Sequence, residues 1–285
     1  MFLTLEAGSS LVNIPMDPKS FSEKLYTFTG SIPTKGQIEK LRLILSTYQD
    51  GTGQLVFEPE KSLPGWRDFE RSVALAFDGV AQESKAIFDV LVPISQDPET
   101  NFGISCKMRE TLRTVERTGR VTVEVSNSAG KFWDGLRARG IDDYSTNPDV
   151  AGKILLGLVE SWHDEVSLEQ GGTVEVSRSF YLLLQWHKAT GRYKLFQFPV
   201  QLPDPETLLW EVNGRRLIGR DDEGVMVEWY GHSGGQLKYY PFADKAIWSS
   251  DVFRLEPLPE SELGYGLKRR VLEYFPDLWR KVNEM

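Results

Sequence analysis

The chain has a single cysteine, Cys106, in 285 residues. It cannot form an internal disulfide, which fits a reducing compartment. Histidine is nearly as scarce. His163, His187 and His232 are widely separated, no His or Cys cluster shows zinc-ligand spacing, and each reads as a surface or satisfied histidine. No apolar run approaches the roughly 18 residues of a membrane-spanning helix, and the amino terminus lacks the basic-then-apolar layout of a signal peptide. A soluble, cytoplasmic protein is expected. Positive charge is also in deficit, with 33 Lys and Arg against 41 Asp and Glu and a formal net charge of −8. Indiscriminate coating of nucleic acid needs a basic surface that releases counterions, so that function is disfavoured. A cleft with local positive charge is not excluded.

What is present is enough apolar sequence for a full core, in one large domain or one domain with an appendage. Residues 1–34 show no sustained period and read as an irregular lead-in with at most one short strand. Ile38, Leu41 and Leu45 have helical spacing and stop before the loop signal Asp50-Gly51-Thr52-Gly53. A second helix is expected over 66–77, with Trp66, Phe69, Val73 and Phe77 on one stripe and Glu70 at its edge. Two apolar runs follow, 87–94 and 102–108, separated by turn formers including Asp97, Pro98 and Asn101, and they read as a β-hairpin.

Within that hairpin Asp89 and Lys107 are charges in runs that otherwise favour burial. A structural ion pair is one explanation, since a buried charge requires a partner. Cys106, between Ser105 and Lys107, points to the opposite face of its strand and is read as a packing residue. Next, Arg109, Arg113 and Arg117 recur every four residues; if 109–120 is helical they share a face, and with Lys107 and Arg120 against Glu110 and Glu116 the segment carries net +3. It is either a local basic patch or a solvated helix laced with Arg–Glu pairs. A strand over 121–125 and helices over 131–138 and 149–165 follow. A hairpin over 174–200 turns at Lys188-Ala189-Thr190-Gly191, short strands fill 208–240, and a terminal helix over 266–282 is kinked by Pro276 and packs Val271, Tyr274, Phe275 and Trp279.

Asp89, a hairpin loop, then Ser105-Cys106-Lys107 together resemble the active-site signature of the PD-(D/E)xK nuclease superfamily, in the variant where Ser replaces the second acidic residue. That variant occurs among type II restriction endonucleases, including the group that cuts around CCGG. The resemblance spans about residues 64–126. It implies an α/β (α+β) fold, a restriction-endonuclease-like mixed sheet flanked by helices. With the elements read along the chain, this gives a nuclease-like core and helical lead-in over 1–170 and a β-rich region with a terminal helix over 171–285, in the same domain or appended. It further implies Asp89, Lys107, Ser105 and Glu70 as catalytic residues, Asp89 and Glu70 as ligands of Mg²⁺, and Arg109, Arg113, Glu116, Arg117 and Arg120 as DNA-contacting residues. The Arg113-Thr114-Val115-Glu116-Arg117 run is one residue longer than the guanine-reading run of the CCGG group, and Val121 stands where that group has a glutamate. Glu124 is out of register with that glutamate, so the third carboxylate is assigned to Glu70. The expected partners are double-stranded DNA, a second copy of the chain and a cognate DNA methyltransferase. A non-catalytic nucleic-acid-binding protein and a repair or structure-specific nuclease are the alternatives.

Overall fold

The computed structural model describes residues 27–59, 61–82, 87–94, 97–259, 262 and 264–283. In chain order its helices and strands are α1 (Lys35–Thr47), β1 (Leu55–Glu58), β2 (Lys61–Leu63), α2 (Trp66–Ala76), β3 (Val80–Ala81), β4 (Val90–Ile94), β5 (Asp97–Arg109), α3 (Leu112–Thr118), β6 (Val123–Ser126), α4 (Ala129–Arg137) and α5 (Pro148–Glu165). Then come β7 (Phe180–His187), β8 (Arg192–Pro199), β9 (Leu209–Asn213), β10 (Arg216–Asp221), β11 (Gly224–Trp229), β12 (Leu237–Tyr239), β13 (Trp248–Ser249), α6 (Leu267–Tyr274) and α7 (Pro276–Asn283). The architecture is mixed α+β. No helix among the described residues is long and apolar enough to cross a membrane. The strand allowed for in 1–34 falls largely on residues 1–26, outside those described, and 27–34 form no regular element.

A six-stranded sheet in the order β13-β8-β7-β5-β4-β3 positions the hairpin charges. Its β5 and β7 run parallel, from Ile104 opposite Phe180 to Arg109 opposite Gln185, while the other pairs are antiparallel. A parallel pair needs a long crossover, and α3, β6, α4 and α5 supply it. Helix α1 starts at a capping box, with Gln37 N–H donating to Thr34 Oγ1 (3.2 Å) and Thr34 N–H to Gln37 Oε1 (2.9 Å). Leu41 and Leu45 of α1 and Phe69 and Val73 of α2 bury one face of the sheet with Val90, Ile104, Cys106 and Leu182. The opposite face, Phe88, Tyr181, Leu183 and Phe198, packs with Val115, Val121 and Val123.

The second sheet, β6-β12-β11-β10-β9, packs on α4 and α5 around a fully buried Trp229, with Phe132, Tyr144, Leu155 and Trp210 about it. Residues 171–285 serve both sheets: β7, β8 and β13 complete the first, β9 to β12 build most of the second, and β6 joins the second from earlier in the chain.

Three local readings change. Arg109 ends β5 rather than starting a helix, because its backbone continues the register with Gln185, and α3 covers only Leu112–Thr118. Trp66 is 54% exposed although Phe69, Val73 and Phe77 are buried. The terminal helix is two helices broken at Phe275 (φ −136), as Pro276 clashes with a continuing turn and begins α7 instead. Tyr274, Phe275 and Trp279 are exposed rather than packed inward.

Phe88 lies flat over Gly103 on the neighbouring strand. A Cβ at 103 would sit 2.1 Å from Phe88 Cγ. Gly103→Ala therefore displaces the ring adjoining Asp89, and overpacking of this kind costs about 1–3 kcal/mol. The expected result is a lower melting temperature, which thermal denaturation of the two proteins checks.

Candidate active site

Antiparallel pairing sets Asp89 beside the middle of β5, where its N–H donates to Ile104 O at 3.1 Å. Successive side chains of a strand alternate faces, so Ser105 and Lys107 share Asp89's side while Ile104 and Cys106 enter the core beneath α2. Asp89 Oδ2 accepts three hydrogen bonds, from Cys106 N–H (2.7 Å), Ser105 Oγ (3.3 Å) and Lys107 Nζ (3.3 Å). Asp89 Oδ1 has no hydrogen-bond donor among the described residues. The side chains of Lys107 and Asp89 are 20% and 25% exposed, so the pair is neither a surface ion pair nor sealed from solvent.

The pair opens onto a cavity of about 690 Å³. Trp66 and Glu70 of α2 line one side, and Arg109, Glu124 and the turn Ser126-Asn127-Ser128 another. Lys131, Trp162, His163 and Glu165 close the wall contributed by α4 and α5. Glu70 is half-buried, and its charge reaches the core side of β5. The Cys106 thiol is pushed well up, by burial first and then by Asp89, with Lys107 opposing and Glu70 adding to the rise. Cys106 is thus a buried neutral thiol in the packed core.

Of the residues assigned from the sequence, Asp89, Ser105, Lys107, Glu70 and Arg109 line this one cavity. Arg113, Glu116, Arg117 and Arg120 do not. Arg113 and Arg117 are exposed on α3. Glu116 forms a bidentate pair with Arg192, one contact being 3.2 Å. Arg120 donates to the carbonyls of Tyr240 (2.8 Å) and Glu223 (2.7 Å) and stacks over Phe242, tying the end of α3 to the second sheet. Glu124, out of register with the glutamate of the CCGG group, also enters the cavity. It is held by Arg109 (2.6 Å), Asn127 (2.6 Å) and Gln236 (3.3 Å).

Two carboxylates could hold a divalent cation here, Asp89 through its open Oδ1 and Glu70. Mg²⁺ accepts one or two carboxylates and keeps its remaining ligands as water, so this donor set fits it. Among the described residues no group of three or more His, Cys, Asp or Glu is placed to hold a metal. Of the backbone carbonyls of Ile104 and Cys106 that could add to the set, that of Ile104 already accepts Asp89 N–H.

Sequence reading missed His163, Tyr181, Lys131 and Trp162. The packing of α4 and α5 brings His163, Lys131 and Trp162 to the cavity and the pairing of β7 with β5 brings Tyr181, and nothing local in the sequence marks them. Tyr181 faces Ser105 across the β5–β7 ladder, and burial pushes its hydroxyl upward. His163 is 8% exposed and stacks on Phe88 with ring centroids 5.6 Å apart. Burial holds its imidazole down at about 4; Asp164 opposes this and Lys107 assists it.

That depression links folding to pH. Between about 6.5, the unfolded value, and about 4, the unfolded chain takes up a proton that the folded chain refuses. Stability is full above this window and falls as pH drops through it, by about 3 kcal/mol at 1.36 kcal/mol per unit. His163→Phe, which retains the stack on Phe88, should lose roughly 2 kcal/mol less than the wild type between pH 7 and 4.5. Parallel acid-induced losses in denaturant melts of the two proteins would contradict this.

Compared with protein-family models, curated proteins and solved structures, the chain matches none.

Proposed function

We propose that this chain is a Mg²⁺-dependent, sequence-specific endonuclease of double-stranded DNA, a type II restriction enzyme acting in the cytoplasm as a homodimer beside a methyltransferase of the same specificity. The observation that carries the reading is the Asp89–Lys107 pair at 3.3 Å, facing an open cavity that Glu70 also lines. A purely structural pair has no need of such a cavity. The mixed sheet, with α2 on one face and the end of α5 reaching the other, supports the restriction-endonuclease-like fold that the motif implies. Two-fold pairing of subunits suits a palindromic site.

When bound by Asp89 and Glu70, Mg²⁺ would neutralise charge on the scissile phosphate and the departing 3′ oxygen and acidify water. The chain's own groups do the rest. Lys107 Nζ orients or deprotonates the attacking water and stabilises the phosphorane. Cys106 N–H and Ser105 Oγ fix Asp89 Oδ2, leaving Oδ1 without a donor among the described residues. Arg109 is held at the rim by Glu124. The lining carries Lys107, Arg109 and Lys131 against Glu70, Asp89, Glu124 and Glu165. Without a divalent cation this wall is on balance acidic, so both DNA affinity and cutting should depend on one.

The test is digestion of unmethylated phage DNA in Mg²⁺ and in EDTA, with discrete fragments expected in Mg²⁺ alone. Ragged products without fixed ends would favour a structure-specific or repair nuclease. Retained DNA binding with no cutting in any divalent metal would favour a binding module, with Ser105 in place of an acid as the reason.

A further inference from the structure

Trp66, the first residue of α2, is the most exposed of the eight tryptophans. A single exposed apolar side chain is ordinary and by itself points to nothing. This one lines the cavity onto which Asp89 and Lys107 open, and so does Glu70. Residues four apart on a helix share a face, with Cβ atoms about 5–6 Å apart, so the Trp66 ring stands one turn from Glu70 on the same side of α2. Trp162, the other tryptophan in the lining, is half-buried and committed to the core, its ring 5.1 Å from that of Phe132.

The turn that carries the ring is clamped. Asp68, itself buried, accepts Gly65 N–H and Gln54 N–H through Oδ2, both at 2.8 Å, and Gln54 Oε1 accepts Arg67 N–H at 2.7 Å. Trp66 is thus presented from fixed backbone, with only two side-chain torsions left to order on binding. Beside it the Arg67 guanidinium lies 4.9 Å from the ring centroid and makes no ion pair among the described residues. An open aromatic face next to an uncommitted cation suits the two parts of a nucleotide, base and phosphate. The cavity volume narrows the ligand further. About 690 Å³ falls in the range of small-ligand sites, about 300–1,000 Å³, which accommodates a nucleotide withdrawn from its stack and not a length of duplex.

We infer that Trp66 is a stacking platform for the base of the nucleotide adjoining the scissile phosphate, so that this base is unpaired when the strand is cut. The inference rests on the nuclease reading, which puts the scissile phosphate by Asp89, Lys107 and Glu70. From there one helical turn to Trp66 is about the reach from a phosphate to its own base. Every base has a π-face, so the contact positions the strand and tolerates any sequence. Enzymes that need a nucleotide in a pocket of this kind pay to extrude it and recover the cost by stacking it on aromatic side chains.

Anisotropy titrations of the full chain in Ca²⁺ test it, with a short fluorescein-labelled single strand of DNA and the same strand made abasic. Trp66→Ala should weaken binding of the intact strand about tenfold. Trp66→Phe, which keeps an aromatic face, should stay within about threefold of the wild type, whereas Trp66→Leu, which keeps only apolar bulk, should match Trp66→Ala. On the abasic strand all four proteins should bind alike, a pattern that a merely structural role would not give. The unpaired state is tested with a duplex carrying one abasic site in the unlabelled strand, which leaves the base opposite without a partner. The wild type should bind it about tenfold tighter than the fully paired duplex, and Trp66→Ala no tighter. An intact strand bound no better than the abasic one, equal binding of both duplexes by the wild type, or Trp66→Ala binding like the wild type throughout would overturn the platform even if the protein cuts DNA. A Trp66-dependent preference for the intact strand in a protein that cuts nothing would uphold the platform and reject the nuclease.

Discussion

Lys107→Ala should lower DNA cleavage by about 10²–10⁴-fold, the range for removal of a positioned proton-transfer or charge-stabilising group, while the protein stays folded. The geometry explains why the two effects separate. Asp89 Oδ2 keeps the Cys106 N–H at 2.7 Å and the Ser105 hydroxyl at 3.3 Å when the ammonium is gone, so the carboxylate is not stranded. The pair is also only partly buried, and its loss should cost about 1–2 kcal/mol, between the surface and the buried case. Were the pair only structural, Lys107→Ala would cut at the wild-type rate. Rates under single-turnover conditions, together with a thermal melt, distinguish the two cases. DNA affinity should change little by comparison, because Arg109 and Lys131 remain.

Asp89→Ala should be the more damaging change, because it removes both a cation ligand and the acceptor on which three donors converge. Cleavage falls to background, and the Cys106 N–H and Lys107 ammonium are left without their partner at a part-buried site, a loss of about 1–3 kcal/mol. Asp89→Asn retains an oxygen for the Cys106 N–H and should recover most of that stability. It lacks the charge that holds a cation, so cleavage should stay absent. Melting curves, cleavage rates and calorimetric Mn²⁺ titration of the three proteins separate the roles. A stable, active Asp89→Asn enzyme would remove Asp89 from the chemistry and return the pair to architecture.

Much of this site was legible because its geometry is local. A hairpin with alternating faces is enough to bring Asp89, Ser105 and Lys107 to one side and send Cys106 to the other, and the stripe on α2 placed Glu70 near the end of the same strands. What was not legible depends on contacts distant in sequence. Arg109 looked helical from its spacing with Arg113 and Arg117, yet pairing of β5 with β7 keeps it extended. Arg120 looked available, yet carbonyls and an aromatic ring of the second sheet occupy it. His163 read as an ordinary isolated histidine, and only the seating of α5 on Phe88 brings it to the cavity. Glu124 was out of register with the family's carboxylate, and strand β6 still brings it to the wall. The terminal segment follows a local rule after all: Pro276 starts a new helix instead of bending an old one.

The central claim, that Asp89 and Lys107 cut DNA, is tested most directly by incubating unmethylated phage DNA with the wild type and with Lys107→Ala, each in Mg²⁺ and in EDTA. Discrete fragments from the wild type in Mg²⁺, and intact DNA in the other three reactions, are predicted. Equal cutting by Lys107→Ala, or intact DNA from a wild type that still binds the duplex in every divalent metal tried, would contradict the claim.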